Sequence, residues 1–138
     1  MPATSEAVAL TVSAALAAAD KKAQRPVALD VSDHLFIIDT FFIVSAGNER
    51  QVRAIVDGIE ERIFLEHNSK PLRREGQREG RWVVLDYGDL MVHVQLDSER
   101  EQYQLERLWR DCPLVELPAE VYLSESDAPV GAGPSTLR

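Results

Sequence analysis

A mixed α/β sheet flanked by helices is the fold class this sequence predicts, and three observations carry it. Segments with helical and strand periodicity follow one another in the order helix, strand, strand, helix, strands, helix. The run Thr40 to Ala46 is dense in Phe41, Phe42, Ile43 and Val44 without polar alternation, as in a strand covered on both faces. Two alternating runs, Arg81 to Tyr87 and Leu90 to Leu96, are joined by Gly88 and Asp89, a two-residue connection with glycine first that signals a hairpin.

The first helix is alanine-rich and runs from Thr4 to Lys22. Val8, Val12, Ala15, Leu16 and Ala19 recur at helical spacing, with Thr4 or Ser5 as the cap. Pro26 opens a short extended run, Val27 to Val31, broken by Ser32, Asp33 and His34. After the Thr40 strand, Asn48 and Gln51 form a capping-box-like start. A helix follows with Val52, Ile55, Val56, Ile59 and Ile63 on one stripe and an end near His67, Asn68 and Ser69. Residues 70–81 carry many charges and two glycines, and read as a short edge strand plus a loop. Ser98 with Glu101 predicts a last capped helix through Trp109, with Leu105, Leu108 and Trp109 inside and Pro113 as its stop. Prolines, serines and glycines dominate the end of the chain. The expected division is therefore a folded domain over 1–116 and a disordered tail over 117–138.

At 138 residues and 45% hydrophobic content, one core is affordable, which makes this a single domain. A lone cysteine, Cys112, excludes an intramolecular disulfide framework and fits a reducing compartment. The apolar stretch at 14–19 is too short to span a bilayer, and no basic-then-apolar leader pattern precedes it, so the expected location is the cytoplasm without a membrane partner. The net charge of −8 argues against a protein that grips phosphate backbones by itself, and little direct nucleic-acid binding is expected.

The hairpin is the most informative segment. With Gly88 and Asp89 as the turn, Tyr87 faces Leu90, Leu85 faces Val92 and Val83 faces Val94, an entirely apolar or aromatic face. The opposite face pairs Trp82, Val84 and Asp86 with Gln95, His93 and Met91. Two readings compete for that mixed face. Another helix covers it, with His93 and Asp86 satisfied locally, or it is an exposed binding patch of the usual composition.

A search for chemistry finds none. His34, His67 and His93 are far apart and lack partners at metal-ligand spacing. Cys112 reads as a buried packing residue rather than the partner of His93, and Ser45 lacks the small-residue elbow of a hydrolase. Gly47 and Asn48 sit at a strand-to-helix junction, yet the glycine spacing of a nucleotide-binding loop is missing. Neither enzymatic activity nor a cofactor or metal is expected.

Three segments resemble the signatures of the ribosomal silencing factor, or Iojap-like, family. The first is Asp39 to Asn48 followed by Arg50, Gln51 and Val52. The second is Trp82 to Gly88 followed by Val92, His93 and Val94. The third comprises Arg100, Tyr103, Leu105, Glu106, Leu108 and Trp109. The likeness covers roughly residues 5–112. Thr40 departs from it, standing where the family usually has an aromatic, as does Gln102.

The resemblance implies a five-stranded mixed sheet with flanking helices, of nucleotidyltransferase-like topology but without that superfold's catalytic groups. It also implies a protein that binds the fourteenth large-subunit ribosomal protein and sterically blocks joining of the small subunit, lowering translation when nutrients are scarce. The partner-binding residues then expected are Trp82 as anchor, Val84 and Met91 as apolar contacts, Asp86 and His93 as orienting polar groups, and Tyr87 at the turn. An apolar hairpin face awaiting a partner predicts a weak homodimer of the free protein. The alternatives are a large-subunit assembly factor and an enzyme binding a nucleotide near Gly47 and Asn48.

Overall fold

A computed structural model describes residues 2–123. Helix α1 (Ser5–Asp20) leads into β1 (Gln24–Asp30) and β2 (Thr40–Ala46), followed by α2 (Glu49–His67). Then come β3 (Arg73–Glu75), β4 (Trp82–Asp86), β5 (Leu90–Leu96), α3 (Asp97–Tyr103), α4 (Leu105–Leu108) and a 3-10 turn (Ala119–Tyr122). The strands form one five-stranded sheet in the order β1-β2-β5-β4-β3. Only β2 and β5 run parallel; every other neighbouring pair is antiparallel. The expected mixed five-stranded sheet with flanking helices is the fold observed.

One sheet face carries Phe42, Val44, Val83, Leu85, Val92 and Val94, buried beneath α1 and α2. The expected stripe of α2, Val52 to Ile63, is buried throughout. In α1 the fully buried face differs from the expected one. Ala7, Thr11, Ala14 and Ala18 point into the protein, while Val8, Val12 and Leu16 are only half-buried. Alanine has no bulk beyond Cβ, so the helix backbone can approach the sheet until the Thr11 and Thr40 hydroxyls bond at 2.8 Å. Thr11 also donates to the Ala7 carbonyl at 2.7 Å, so both buried hydroxyls are satisfied. An aromatic at position 40 would have no room below Thr11.

Both long helices start on the expected caps. Thr4 accepts from the Ala7 amide, and Asn48 from the Gln51 amide at 2.8 Å. The α3–α4 region departs from expectation. Leu96, not Ser98, precedes α3, and no side chain caps it. The expected single helix breaks at Gln104, which adopts a left-handed conformation with φ 46°. Leu108, expected inside, is exposed, whereas Leu105 and Trp109 pack against a second cluster formed by Leu29, Val31, Phe41, Ile43 and Cys112. The break turns the helix axis, which removes Leu108 from the stripe.

The expected boundary at 116 is too early. Leu117 and Val121 belong to the core beneath α1, so the packed body continues through the 3-10 turn. The expected disorder of the final residues falls on 124–138, outside the described residues. Among the described residues no helix is long and apolar enough to cross a membrane.

Candidate functional site

The register of β4 against β5 is the one the turn implies: Trp82 opposite Gln95, Val84 opposite His93, and Asp86 opposite Met91. Gly88 takes φ 89°, which a side chain would resist, and its amide is held by Asp86 Oδ1 at 2.8 Å. The Tyr87 amide closes the turn on the Leu90 carbonyl at 2.8 Å. These contacts fix which residues share the face opposite α1 and α2.

That face is divided. At its far end α3 and α4 cover a polar floor, where Gln95 and Ser45 are fully buried and Arg100 is 2% exposed. Arg100 donates to Glu106 Oε2 at 3.1 Å and reaches Ser45 Oγ at 3.4 Å, whereas both amide atoms of Gln95 lack a partner among the described residues. This floor was missed in the sequence. Its only signal was the alternation that placed Gln95 on the outer face.

Toward the turn the cover ends. Arg73, Glu75, Val84, Asp86, Met91 and His93 line an open depression of about 250 Å³. Asp86 is partly committed, bonding the turn amide and approaching Arg73 at 3.6 Å. The hairpin face is therefore covered over one half and open over the other.

Trp82 stands between the halves and is half-buried. Its indole N–H donates to His93 Nδ1 at 3.1 Å, and the Tyr103 ring lies 5.1 Å from it, centroid to centroid. His93 is 6% exposed, closed in by Trp82 and by Phe41 at 5.2 Å. Burial depresses the imidazole pKa to about 4, so the ring is neutral at pH 7. Because Nδ1 accepts from Trp82, the ring proton belongs on Nε2. The enclosed imidazole holds the Trp82 indole in place. Tyr87 is buried as well, and burial raises its phenol pKa above the usual range.

Among the described residues no arrangement for catalysis emerges. Cys112 Sγ lies 3.7 Å from His34 Nδ1, not near His93, and burial together with nearby Asp30, Asp111 and Asp33 pushes the thiol pKa upward, away from the nucleophilic thiolate. Ser13 Oγ meets both Glu66 Oε1 at 2.7 Å and His67 Nε2 at 2.8 Å. The carboxylate there holds the hydroxyl instead of the imidazole, so the cluster ties α1 to α2 and does not build a relay. At the start of α2 two amides are already engaged: Gln51 N by Asn48, and Gly47 N by Gln51 Oε1 at 3.3 Å. A Cβ on Gly47 would sit 3.9 Å from the Asp97 carboxylate, a neighbour hostile to phosphate. Among the described residues no cluster of His, Cys, Asp or Glu is placed to hold a metal.

Comparison with known proteins adds the identity of the fold's relatives. A family profile described as ribosomal silencing factor during starvation matches residues 3–134. The chain belongs to that family. Ribosomal silencing factor RsfS of Halalkalibacterium halodurans is 42% identical over 98 residues, covering 71% of this chain and 83% of that protein. A crystal structure of a Bacillus halodurans protein superposes with a TM-score of 0.67 at 38% identity, covering 83% of this chain and all of that one. The mouse protein named mitochondrial assembly of ribosomal large subunit protein 1 is 30% identical, covering 67% of this chain and 43% of its own length. The family is thus ribosome-associated, and its bacterial relative here carries the name ribosomal silencing factor.

Proposed function

We propose that this chain docks on the large ribosomal subunit through the open half of the hairpin face, with the fourteenth large-subunit protein as its partner, and thereby blocks joining of the small subunit. The observation that carries this reading is the half-buried Trp82 beside an uncovered depression, in a chain of the silencing-factor family. A rigidly held tryptophan beside Val84, with Met91 further along the same face, is the composition of an interface hot spot. Glu75 and the Arg73–Asp86 pair at the depression, on a chain of net charge −8, suit a basic protein surface. Trp82, Val84, Asp86 and Met91 act as contacts, His93 positions the indole, and Tyr87 supports the turn from within. Blocking requires occupancy and bulk alone, so no chemistry and no cofactor enter. The protein acts in the cytoplasm, and a weak homodimer hides part of the face when no ribosome is present.

Sedimentation with purified subunits tests this reading. The chain should pellet with the large subunit and suppress formation of joined ribosomes. Pelleting with the small subunit, or with naked RNA, would refute it.

Similarity to the mouse assembly protein favours a second reading, in which the same face engages large subunits that are still maturing. Enrichment on precursor particles over finished subunits would select it.

A further inference from the structure

The loop between β1 and β2 contains four apolar residues in a row, and only two of them have a structural use. Leu35 and Ile38 pack into the second core cluster beside Met91. Phe36 is fully exposed and Ile37 is 74% exposed, which sets them among the most exposed large hydrophobic side chains of the described chain. Slack in the loop does not explain this. The Leu35 amide donates to the Val31 carbonyl at 2.9 Å, and the Val31 amide to the Asp39 carbonyl at 2.9 Å. The Asp39 and Thr40 amides then bind the Asp89 carbonyl at 2.9 and 3.0 Å, fastening the loop to the hairpin turn. The exposed pair is presented by a braced frame whose Leu35 and Ile38 pack on the same cluster as Met91, which lines the depression.

We propose that the Phe36–Ile37 tip is a second anchor of the docking surface, entering an apolar recess on a basic protein partner. This inference rests on the docking reading given above and deepens it. Charge identifies the kind of partner. Residues 26–49 contain no lysine or arginine but include Asp30, Asp33 and Asp39, and the hairpin adds Asp86 and Asp89. An apolar tip in an acidic setting, on a chain whose net charge is −8, is repelled by anionic lipid. A basic protein meets both features at once: its recess buries the two side chains, and its charge complements the surrounding aspartates.

The test uses the full chain and purified large subunits, comparing wild type, Phe36→Ser/Ile37→Ser, Phe36→Leu and Trp82→Ala. The double variant should keep its melting temperature and bind at least tenfold more weakly, whereas Phe36→Leu should retain most of the affinity. Wild-type binding should weaken as salt rises. Unchanged affinity in the double variant, with wild type still bound, overturns the tip anchor and leaves the docking reading standing. Failure of wild type to bind large subunits overturns both. A lowered melting temperature in the double variant contradicts the exposed frame, and salt-independent binding contradicts a basic partner. Loss of self-association by light scattering, with subunit binding intact, would assign the tip to a second copy and also overturn the proposal.

Discussion

The indole nitrogen of Trp82 and Nδ1 of His93 lie 3.1 Å apart across the hairpin, so the one aromatic of β4 is held by a buried imidazole of β5. This bond couples the proposed contact surface to the interior. Trp82→Ala should therefore affect both binding and stability. On large subunits the loss should be at least about 2 kcal/mol. In the free protein it should be about 1–3 kcal/mol, from the unpaired imidazole and lost packing, below the cost of emptying a fully enclosed site. Trp82→Phe keeps the ring against Tyr103 and should recover most of the stability. Urea unfolding alongside sedimentation separates the two effects, and an unchanged affinity in Trp82→Ala would remove Trp82 from the interface.

His93 makes stability depend on pH in a defined window. Its folded pKa of about 4 lies below the usual 6.5, so between these values the unfolded chain binds a proton that the folded chain refuses. Stability should fall as pH drops from 6.5 to 4, by about 3 kcal/mol in all, and should be insensitive to this group above pH 6.5. His93→Gln keeps an acceptor for the indole but does not titrate. Its unfolding midpoint should lack this slope; equal slopes in both proteins would exclude His93 as the source.

The buried Thr11–Thr40 pair yields an asymmetric pair of substitutions. Thr11→Val strands the Thr40 hydroxyl and should cost about 1–3 kcal/mol. Thr40→Val should cost less, because Thr11 still donates to the Ala7 carbonyl. The double variant should be more stable than the sum of the single losses predicts, a non-additivity that thermal unfolding can read.

Glu60 makes a control whose effects divide. It holds Arg74 through two bonds of 2.9 and 2.8 Å and lies on α2, away from the depression. Glu60→Ala should lower stability by up to about 1 kcal/mol and leave subunit binding unchanged. Weakened binding would mean that the α2–β3 side belongs to the interface.

The helix α2 stripe, strand β2 and the hairpin register were readable because each depends on a local period or a turn chemistry that tertiary contacts reinforce. The break at Gln104 was not, since neither glycine nor proline marks it and the left-handed residue is imposed by packing Leu105 and Trp109 onto the sheet. The inward face of α1 was misread for a related reason. Hydrophobicity favours Val8 and Leu16, whereas close approach to Thr40 favours alanine. At the site, alternation placed Trp82, Val84, Asp86, Met91 and His93 on one face. It carried no information on how far α3 would extend over them. Only the three-dimensional packing shows that Gln95 lies beneath that cover and His93 behind Trp82 and Phe41, while the depression stays open.

The strand order has a consequence for synthesis of the chain. All seven residues of β2 are buried, yet one of its two neighbours, β5, is encoded only after α2, β3 and β4. Until Leu90 to Leu96 has emerged, β2 has an unpaired edge and its Phe41–Val44 stretch lacks its neighbour on that side. Such an uncharged, β-prone segment is a template for pairing with other chains. A product terminated between Gly80 and Leu90 would carry that edge permanently, and it should aggregate where the full-length chain folds.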